Sequence, residues 1–188
     1  MHRWDFFKRR EAPSARGKMR LATRTSQSGN INIDGTNASS LSTMFLPSQD
    51  GFFDVIEPGV RDLVKFFAID LDLITYTSCE GHFYRDRGCG DERHVGLLPR
   101  NDTEQSSIWS GLVKITTAWN TRCVNTPMIA GVMEGAVRDD LALLPTLDLY
   151  LCRRPDLTWD SYFAMIDAAT DELLGILKST WPREPIDK

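Results

Sequence analysis

Residues 57–98 contain the pattern that decides the fold, and they read EPGVRDLVKFFAIDLDLITYTSCEGHFYRDRGCGDERHVGLL. Pro58 is typical of the first turn of a helix. Four apolar side chains then follow at the i, i+3, i+4, i+7 spacing of one helix face: Val60, Leu63, Val64 and Phe67. Residues 71–77 mix β-branched and aromatic side chains and predict a strand, and residues 94–98 predict another beyond a polar loop at 78–93. This stretch is therefore predicted to fold as helix, strand, strand.

The rest of the chain repeats this order and adds a last helix. Thr103 is a predicted N-cap of a helix. Four apolar side chains lie on one stripe of that helix: Ile108, Leu112, Ile115 and Trp119. A strand is predicted between Pro127 and Val137, and a further strand is indicated by strict alternation of Leu147, Leu149 and Leu151. The final helix is predicted over residues 158–180.

An αββαββα order folds most economically as one antiparallel sheet of about four strands with the helices packed on one face. The expected fold class is therefore α+β. Residues 51–188 are enough for a single domain with a sizeable core. No Walker loop, dinucleotide-binding glycine pattern, zinc-protease motif or nucleophile elbow is present, so the fold prediction alone indicates no reaction.

Residues 1–50 differ from the rest in composition and charge. They are rich in Ser, Thr and Asn and hold 8 Lys/Arg against 4 Asp/Glu, whereas residues 51–188 hold 14 against 22. We expect a flexible basic leader before the folded domain, because this stretch cannot bury enough apolar surface. Its aromatic residues Trp4, Phe6 and Phe7 precede three basic side chains and could serve as an interaction arm.

The charge and cysteine content narrow the expected environment and partners. An acidic body disfavours nucleic acid as a partner. No apolar run approaches the length of a membrane span, and no secretory signal precedes the four cysteines, so we expect a cytoplasmic protein. The remaining expectations are a small polar ligand or a protein partner, including a homodimer through an edge strand.

Residues able to bind metals or transfer protons are concentrated in the predicted loop. Eight of them lie within a short stretch: Cys79, Glu80, His82, Asp86, Cys89, Asp91, Glu92 and His94. Loops held by a rigid scaffold commonly present reactive groups. We therefore expect the functional site here, and three chemical interpretations apply to it.

In the first interpretation, a divalent metal is bound by two Cys/His pairs. The ligands would be Cys79, His82, Cys89 and His94, in a Cys-x2-His and Cys-x4-His arrangement. Thiolates and imidazoles together suit tetrahedral Zn²⁺. Zinc is therefore the expected cofactor, although six residues between the pairs is a shorter spacing than in finger-like sites.

In the second interpretation, Cys79 is a nucleophile whose thiolate is favoured by His82 or His94. His82 is the expected base, and Glu80 orients the imidazole or acts as an acid. In the third, the loop binds a small polar ligand through Ser78 and Gly81, with His82 and either Arg85 or Arg87 in contact with it. The alternative to all three is a solvated connection in which the cysteine only packs. Whether the protein is an enzyme stays open at this level.

The stretch Thr77-Ser78-Cys79-Glu80-Gly81-His82, after a helix and a strand, resembles the Ser-Ser-Cys-Ser-Gly-Arg element of the tRNA wybutosine-synthesis methyltransferase family. The resemblance covers about residues 55–84 and differs at Glu80 and His82. It implies an S-adenosylmethionine-dependent enzyme that acts on a modified guanosine of tRNA, with the loop after Thr77 near the cofactor. The leading hypothesis remains the metal or ligand site, and a protein-interaction module is the alternative.

Overall fold

A computed structural model describes residues 24–25, 31–32, 52–54, 56–123, 126–138 and 143–181 of the chain. Two short strands, β1 (Arg24–Thr25) and β2 (Ile31–Asn32), pair in antiparallel fashion. The rest of the predicted leader, including its aromatic-basic arm, lies outside the described residues.

Three helices are present in the described residues. Helix α1 spans Pro58–Lys65 and continues into a π-helical turn at Phe66–Asp70. Helix α2 spans Asp102–Arg122 and helix α3 spans Trp159–Thr180. None of these helices combines the length and the apolar character needed to cross a membrane.

Four strands form one antiparallel sheet. They are β3 (Thr75–Cys79), β6 (Arg93–Leu97), β7 (Met128–Arg138) and β8 (Leu143–Arg153), in the spatial order β3-β6-β8-β7. The observed order of the main elements is αββαββα, which confirms the predicted α+β fold. Between β3 and β6 the chain forms a separate hairpin of β4 (His82–Tyr84) and β5 (Cys89–Asp91).

Two local predictions need correction. The stretch predicted as a polar loop, residues 78–93, contains the end of β3 and the whole β4–β5 hairpin. The N-cap of α2 is Asn101 and not Thr103, because the Asn101 side chain accepts a hydrogen bond from the Glu104 amide. The predicted start of α3 is confirmed, since the Thr158 side chain accepts from the Ser161 amide at 3.2 Å.

One face of the sheet packs against the helices. The alternating side chains predicted for β8 point into this core together with two residues of β6, and all are at most 2% exposed: Val95, Leu97, Leu147, Leu149 and Leu151. They meet apolar residues of the helices such as Leu112, Trp119 and Leu173, which are fully buried. Burial of each such side chain contributes about 1.5–3 kcal/mol, so this core accounts for most of the driving force for folding.

The opposite face of the sheet carries polar and aromatic side chains. The Tyr76 hydroxyl reaches across β6 and donates to the Asp148 carboxylate at 2.7 Å. Gly96 lies below this contact, and a Cβ atom there would come within 2.5 Å of the Tyr76 ring. The bridge between β3 and β8 therefore requires glycine at this position of β6.

Strand β7 lies at one edge of the described sheet, and a side chain of α2 covers part of that edge. The Asn120 amide donates to the Ala130 carbonyl at 2.8 Å and accepts from the Ala130 amide at 2.9 Å. The side chain thereby satisfies both backbone groups that Ala130 turns away from β8.

Candidate metal centre

Three potential metal ligands of different chemistry converge where α1, β3 and β4 meet. Glu57, Cys79 and His82 each offer one ligand atom, and these atoms all lie within 4.8 Å of one another. Glu57 immediately precedes α1, Cys79 ends β3 and His82 begins β4. The cluster can hold a metal ion, and it depends on tertiary packing because its members come from separate elements.

Glu57 is a buried carboxylate held in place by its contacts. Its side chain forms no capping hydrogen bond to α1, although the residue occupies the N-cap position. Instead, Oε1 lies 2.8 Å from Nε2 of His82, and Oε2 accepts a hydrogen bond from the Glu80 amide at 2.8 Å. A carboxylate that is only 6% exposed requires such partners, since burying an unpaired charge is costly.

Glu80 completes a reciprocal exchange with the start of α1. Its carboxylate accepts a hydrogen bond from the Gly59 amide at 2.8 Å, while its own amide donates to Glu57. The amide of Gly59 belongs to the first turn of α1, where backbone donors lack partners within the helix. This exchange fastens the β3–β4 link to α1, and the carboxylate of Glu57 contacts His82.

Arg93 attaches the same link to α3. The side chain is only 4% exposed, and its Nε donates to the Glu80 carbonyl at 2.8 Å. Its two terminal nitrogens donate to Thr170 at 2.7 Å and to Asp167 at 2.8 Å. The planar guanidinium therefore holds the backbone next to Cys79 in a fixed position.

Gly81 forms the tight connection between Cys79 and His82. Its φ of +89° lies in the left-handed region that favours glycine. A Cβ atom at this position would also come within 3.0 Å of the Asp91 carbonyl oxygen. The Gly81 amide donates to Sγ of Cys79 at 3.3 Å, so the turn orients the sulfur toward the cluster.

The electrostatic environment of Cys79 disfavours a free thiolate. Burial raises the pKa of its thiol to about 11, and the negative charges of Glu57, Asp91 and Glu80 add to this effect. The hydrogen bond from the Gly81 amide acts in the opposite direction but is not sufficient. At neutral pH the sulfur is therefore a protonated thiol unless a cation replaces the proton.

The β4–β5 hairpin presents a different set of side chains on each of its faces. His82 and Tyr84 share the face toward the cluster, with ring centres 6.4 Å apart, and the Tyr84 hydroxyl donates to Asp91 at 2.8 Å. On the other face, Phe83 stacks on Phe163 of α3 with ring centres 5.7 Å apart. The aromatic stack fixes the hairpin, and with it His82, against α3.

The other predicted metal ligands lie outside the cluster. Cys89 is exposed and lies opposite Tyr84 in the hairpin. His94 lies directly opposite Cys79 in the sheet, but its ring stacks on Tyr150 with ring centres 4.8 Å apart. Burial also lowers the pKa of His94, which therefore remains neutral at physiological pH.

The predicted ligand-binding residues are not gathered at one place. Ser78 lies opposite the fully buried Val95 in the sheet. Arg85 lies at the tip of the hairpin with 79% of its side chain exposed, and it pairs with Asp160 at 3.2 Å. Of this set, Gly81 contacts the cluster through its hydrogen bond to Sγ of Cys79.

Sequence reasoning identified Glu57 only as a helix start and missed it as a ligand. Glu57 lies 23 positions before Glu80, which stands between Cys79 and His82 in the chain. Local clustering of residue types therefore could not connect Glu57 with the other two ligands. One signal was present, because Ser, Thr, Asp and Asn are strongly preferred as N-caps and glutamate is not among them.

The three donor types indicate which metal the cluster suits. A carboxylate oxygen, a thiolate sulfur and an imidazole nitrogen are all ordinary ligands of Zn²⁺. Tetrahedral zinc holds such atoms about 3.3–3.6 Å apart, so the contact between Glu57 and His82 would widen by about 0.5 Å. The 2.8 Å contact between Glu57 and His82 and the 4.8 Å limit on the other two distances are compatible with a metal ion bound by all three atoms after small shifts.

No protein-family model, curated protein or solved structure gives a significant match. The resemblance to the wybutosine-synthesis methyltransferases therefore stays a prediction, and the geometry of the site carries the functional argument.

Proposed function

We propose that the protein binds one Zn²⁺ ion through Glu57, Cys79 and His82 and that this ion forms its active centre. The observation that carries the proposal is the convergence of three different donor atoms within 4.8 Å. Each donor is held by its own element, which limits the rearrangement needed on binding.

The three ligands found among the described residues favour a catalytic role over a structural one. Structural zinc sites usually have four protein ligands, whereas catalytic sites have three and leave one position for water or substrate. Zinc in such a site lowers the pKa of bound water toward neutrality and supplies a hydroxide nucleophile. The proposed activity is therefore a metal-assisted hydrolysis or a related addition of water.

Cobalt substitution tests the ligand set directly. Co²⁺ bound to a thiolate absorbs in the near ultraviolet, so titration of the metal-free full-length protein should produce a band that saturates at one equivalent. Cys79→Ser should abolish the band, and Glu57→Gln and His82→Asn should each weaken metal binding by at least tenfold. Metal binding should also release the Cys79 proton and tighten as the pH rises.

Two further variants serve as matched controls. Cys89→Ser and His94→Gln alter residues that sequence spacing predicts as ligands but that lie outside the cluster. Both variants should retain the band and the affinity of the wild-type protein. Absence of the band in the wild-type protein, or its loss in Cys89→Ser with retention in Cys79→Ser, would reject the proposed site.

A second candidate function is cysteine-based hydrolysis. The observation that favours it is the 2.8 Å contact between His82 and Glu57, which is the arrangement of an imidazole base and its orienting carboxylate. In this alternative, His82 would take the Cys79 proton as the sulfur attacks. The high pKa of the thiol weighs against it, and alkylation of the thiol separates the two candidates, as described below.

A further inference from the structure

The cluster continues into a row of side chains on one face of the β4–β5 hairpin. His82 is followed on this face by Tyr84, and the Arg87 guanidinium lies over the Tyr84 ring at 4.2 Å from its centre. The two distances place the guanidinium at most about 11 Å from the His82 ring. Arg87 is thus the cationic end of a row that begins at the proposed metal.

Arg87 keeps its hydrogen-bonding capacity in this position. Stacking on Tyr84 occupies one flat face of the guanidinium, while its N–H donors point outward in the plane. The nearby Asp86 carboxylate lies 4.0 Å from Nε, and both side chains are more than 60% exposed, so this pair contributes little. A guanidinium fixed at one end and open at the other is well suited to a carboxylate or phosphate.

The groups on this face differ in the charge that they offer to a ligand. Zn²⁺ bound to one carboxylate and one thiolate carries no net charge, so the metal itself would not select for charged substrates. The Asp91 carboxylate also lies on this face, where it accepts a hydrogen bond from the Tyr84 hydroxyl at 2.8 Å, and Arg87 is the cation that stacks on the same ring. Arg87 is therefore the feature of the row that can distinguish an anionic substrate from a neutral one.

We propose that Arg87 determines substrate specificity by binding a carboxylate or phosphate group of a small molecule whose other end coordinates the metal. This inference rests on the proposed function, since it names the substrate class of the same centre. The distance from the proposed metal to Arg87 suits a molecule with a short chain between its metal-binding group and its anionic group.

Arg85 provides a control because it occupies a similar position on the other face of the hairpin, although it also pairs with the exposed Asp160. It also lies at the exposed hairpin tip, and its guanidinium lies over an aromatic ring, that of Phe83, at 4.9 Å. Phe83 and Tyr84 point to opposite faces of the strand, so only Arg87 shares a face with His82.

The test uses zinc-loaded full-length protein and two sets of hydroxamate probes, which share a metal-binding group. The monohydroxamates of glutaric, adipic and suberic acid carry a terminal carboxylate, and aliphatic hydroxamates of similar length do not. Calorimetry should show at least one carboxylate probe binding about tenfold more tightly than its uncharged counterpart. Arg87→Ala should abolish this preference, and Arg85→Ala should retain it.

Two results would overturn the inference, and they are distinguishable from each other. If uncharged probes bind but carboxylate probes show no advantage, or if Arg85→Ala removes the advantage as fully as Arg87→Ala does, Arg87 is not the specificity determinant and the metal centre stands. If no hydroxamate binds and the cobalt band is also missing, the metal centre itself is rejected and the inference falls with it.

Discussion

Cys79 shows how the surroundings of one residue decide between two chemistries. Burial and three nearby carboxylates raise the pKa of its thiol to about 11, which is unfavourable for a free nucleophile. The same carboxylates favour a divalent cation, whose charge would compensate theirs and displace the thiol proton. The residue is therefore better suited to ligation than to direct attack.

Alkylation of the metal-free protein should follow from this environment. At neutral pH, iodoacetamide should modify the exposed Cys89 before the half-buried Cys79, as measured by peptide mass spectrometry. In a Cys89→Ser background, the rate at Cys79 should rise with pH toward an apparent pKa of about 11. Added Zn²⁺ should protect Cys79 if it is a ligand.

The opposite result would favour the cysteine nucleophile. Modification of Cys79 faster than Cys89, with an apparent pKa well below the ordinary value of about 8.5, would indicate that His82 stabilises the thiolate. Such a result would contradict the effect of burial described above and would support the Cys79–His82 pair as a hydrolase.

Sequence reasoning found two of the three clustered residues, and the reasons are physical. Cys79 and His82 are close in the chain and joined by a turn that glycine permits, so local density was informative. His94 was also predicted as a ligand, but tertiary packing places its ring against Tyr150. Glu57 reaches the cluster only through the packing of α1 against the sheet, which no local pattern encodes.

At the scale of elements, the β4–β5 hairpin determines whether His82 meets its partners. Its glycines and charged residues resemble a loop in sequence, which explains the prediction of a polar connection. The strands form because Phe83 stacks on Phe163. The Phe163 ring in turn stacks on that of Trp159, with ring centres 5.9 Å apart. These contacts join residues that are far apart in the chain, so they could not be deduced from local composition.

Removing the stack between Phe83 and Phe163 should loosen the β4–β5 hairpin without unfolding the protein. We expect Phe163→Ala to cost about 2 kcal/mol of stability because the lost ring is partly buried. Hydrogen exchange of the amides of residues 82–91 should accelerate, and zinc affinity should fall about tenfold as His82 becomes less fixed. Unfolding in denaturant and isothermal titration measure the two effects.

Met165 provides the control for Phe163 on the same helix. Its side chain is 43% exposed and takes no part in the aromatic stack. Met165→Ala should leave both hairpin exchange and zinc affinity at wild-type values. Unchanged exchange at residues 82–91 in Phe163→Ala would show that the stack does not hold the hairpin.

The overall fold can be predicted from the periodicity of the sequence more completely than the candidate site can. Helical and alternating spacings predicted the αββαββα order and the one-sided sheet, since each amphipathic element must bury its apolar side. These patterns could not predict the strand order β3-β6-β8-β7, because strand pairing depends on contacts between elements that are distant in the chain. The same holds for the polar face, where Tyr76 and Asp148 meet across β6.

This polar face should make stability depend on pH. Burial raises the pKa of Asp148 from 3.8 to about 6, although the Tyr76 hydroxyl opposes the shift. A raised pKa means that the charged form is disfavoured in the folded state. The contribution of Asp148 to stability is therefore fully present below about pH 4, declines as the pH rises through about 6, and is lost above it.

Asp148→Asn should remove this dependence. The asparagine carbonyl can still accept from Tyr76 but carries no charge, so the variant should exceed wild type above pH 6 by on the order of 1 kcal/mol, an amount reduced for partial solvent exposure. Thermal unfolding near pH 4 and near pH 8 should show about 2–4 °C of difference at the higher pH only. Asp156→Asn, at an exposed carboxylate, should show none at either pH.

The contact between Asn120 and Ala130 bears on aggregation of the protein in concentrated solution. A long outer strand offers an incoming molecule a template for cross-β growth, and fibrils begin by such additions. The amide of Asn120 imitates the missing neighbour strand at one position, so a foreign strand cannot align past it without breaking two hydrogen bonds. A single side chain thereby occupies one position of an eleven-residue sheet border and interrupts the register that an added strand would need.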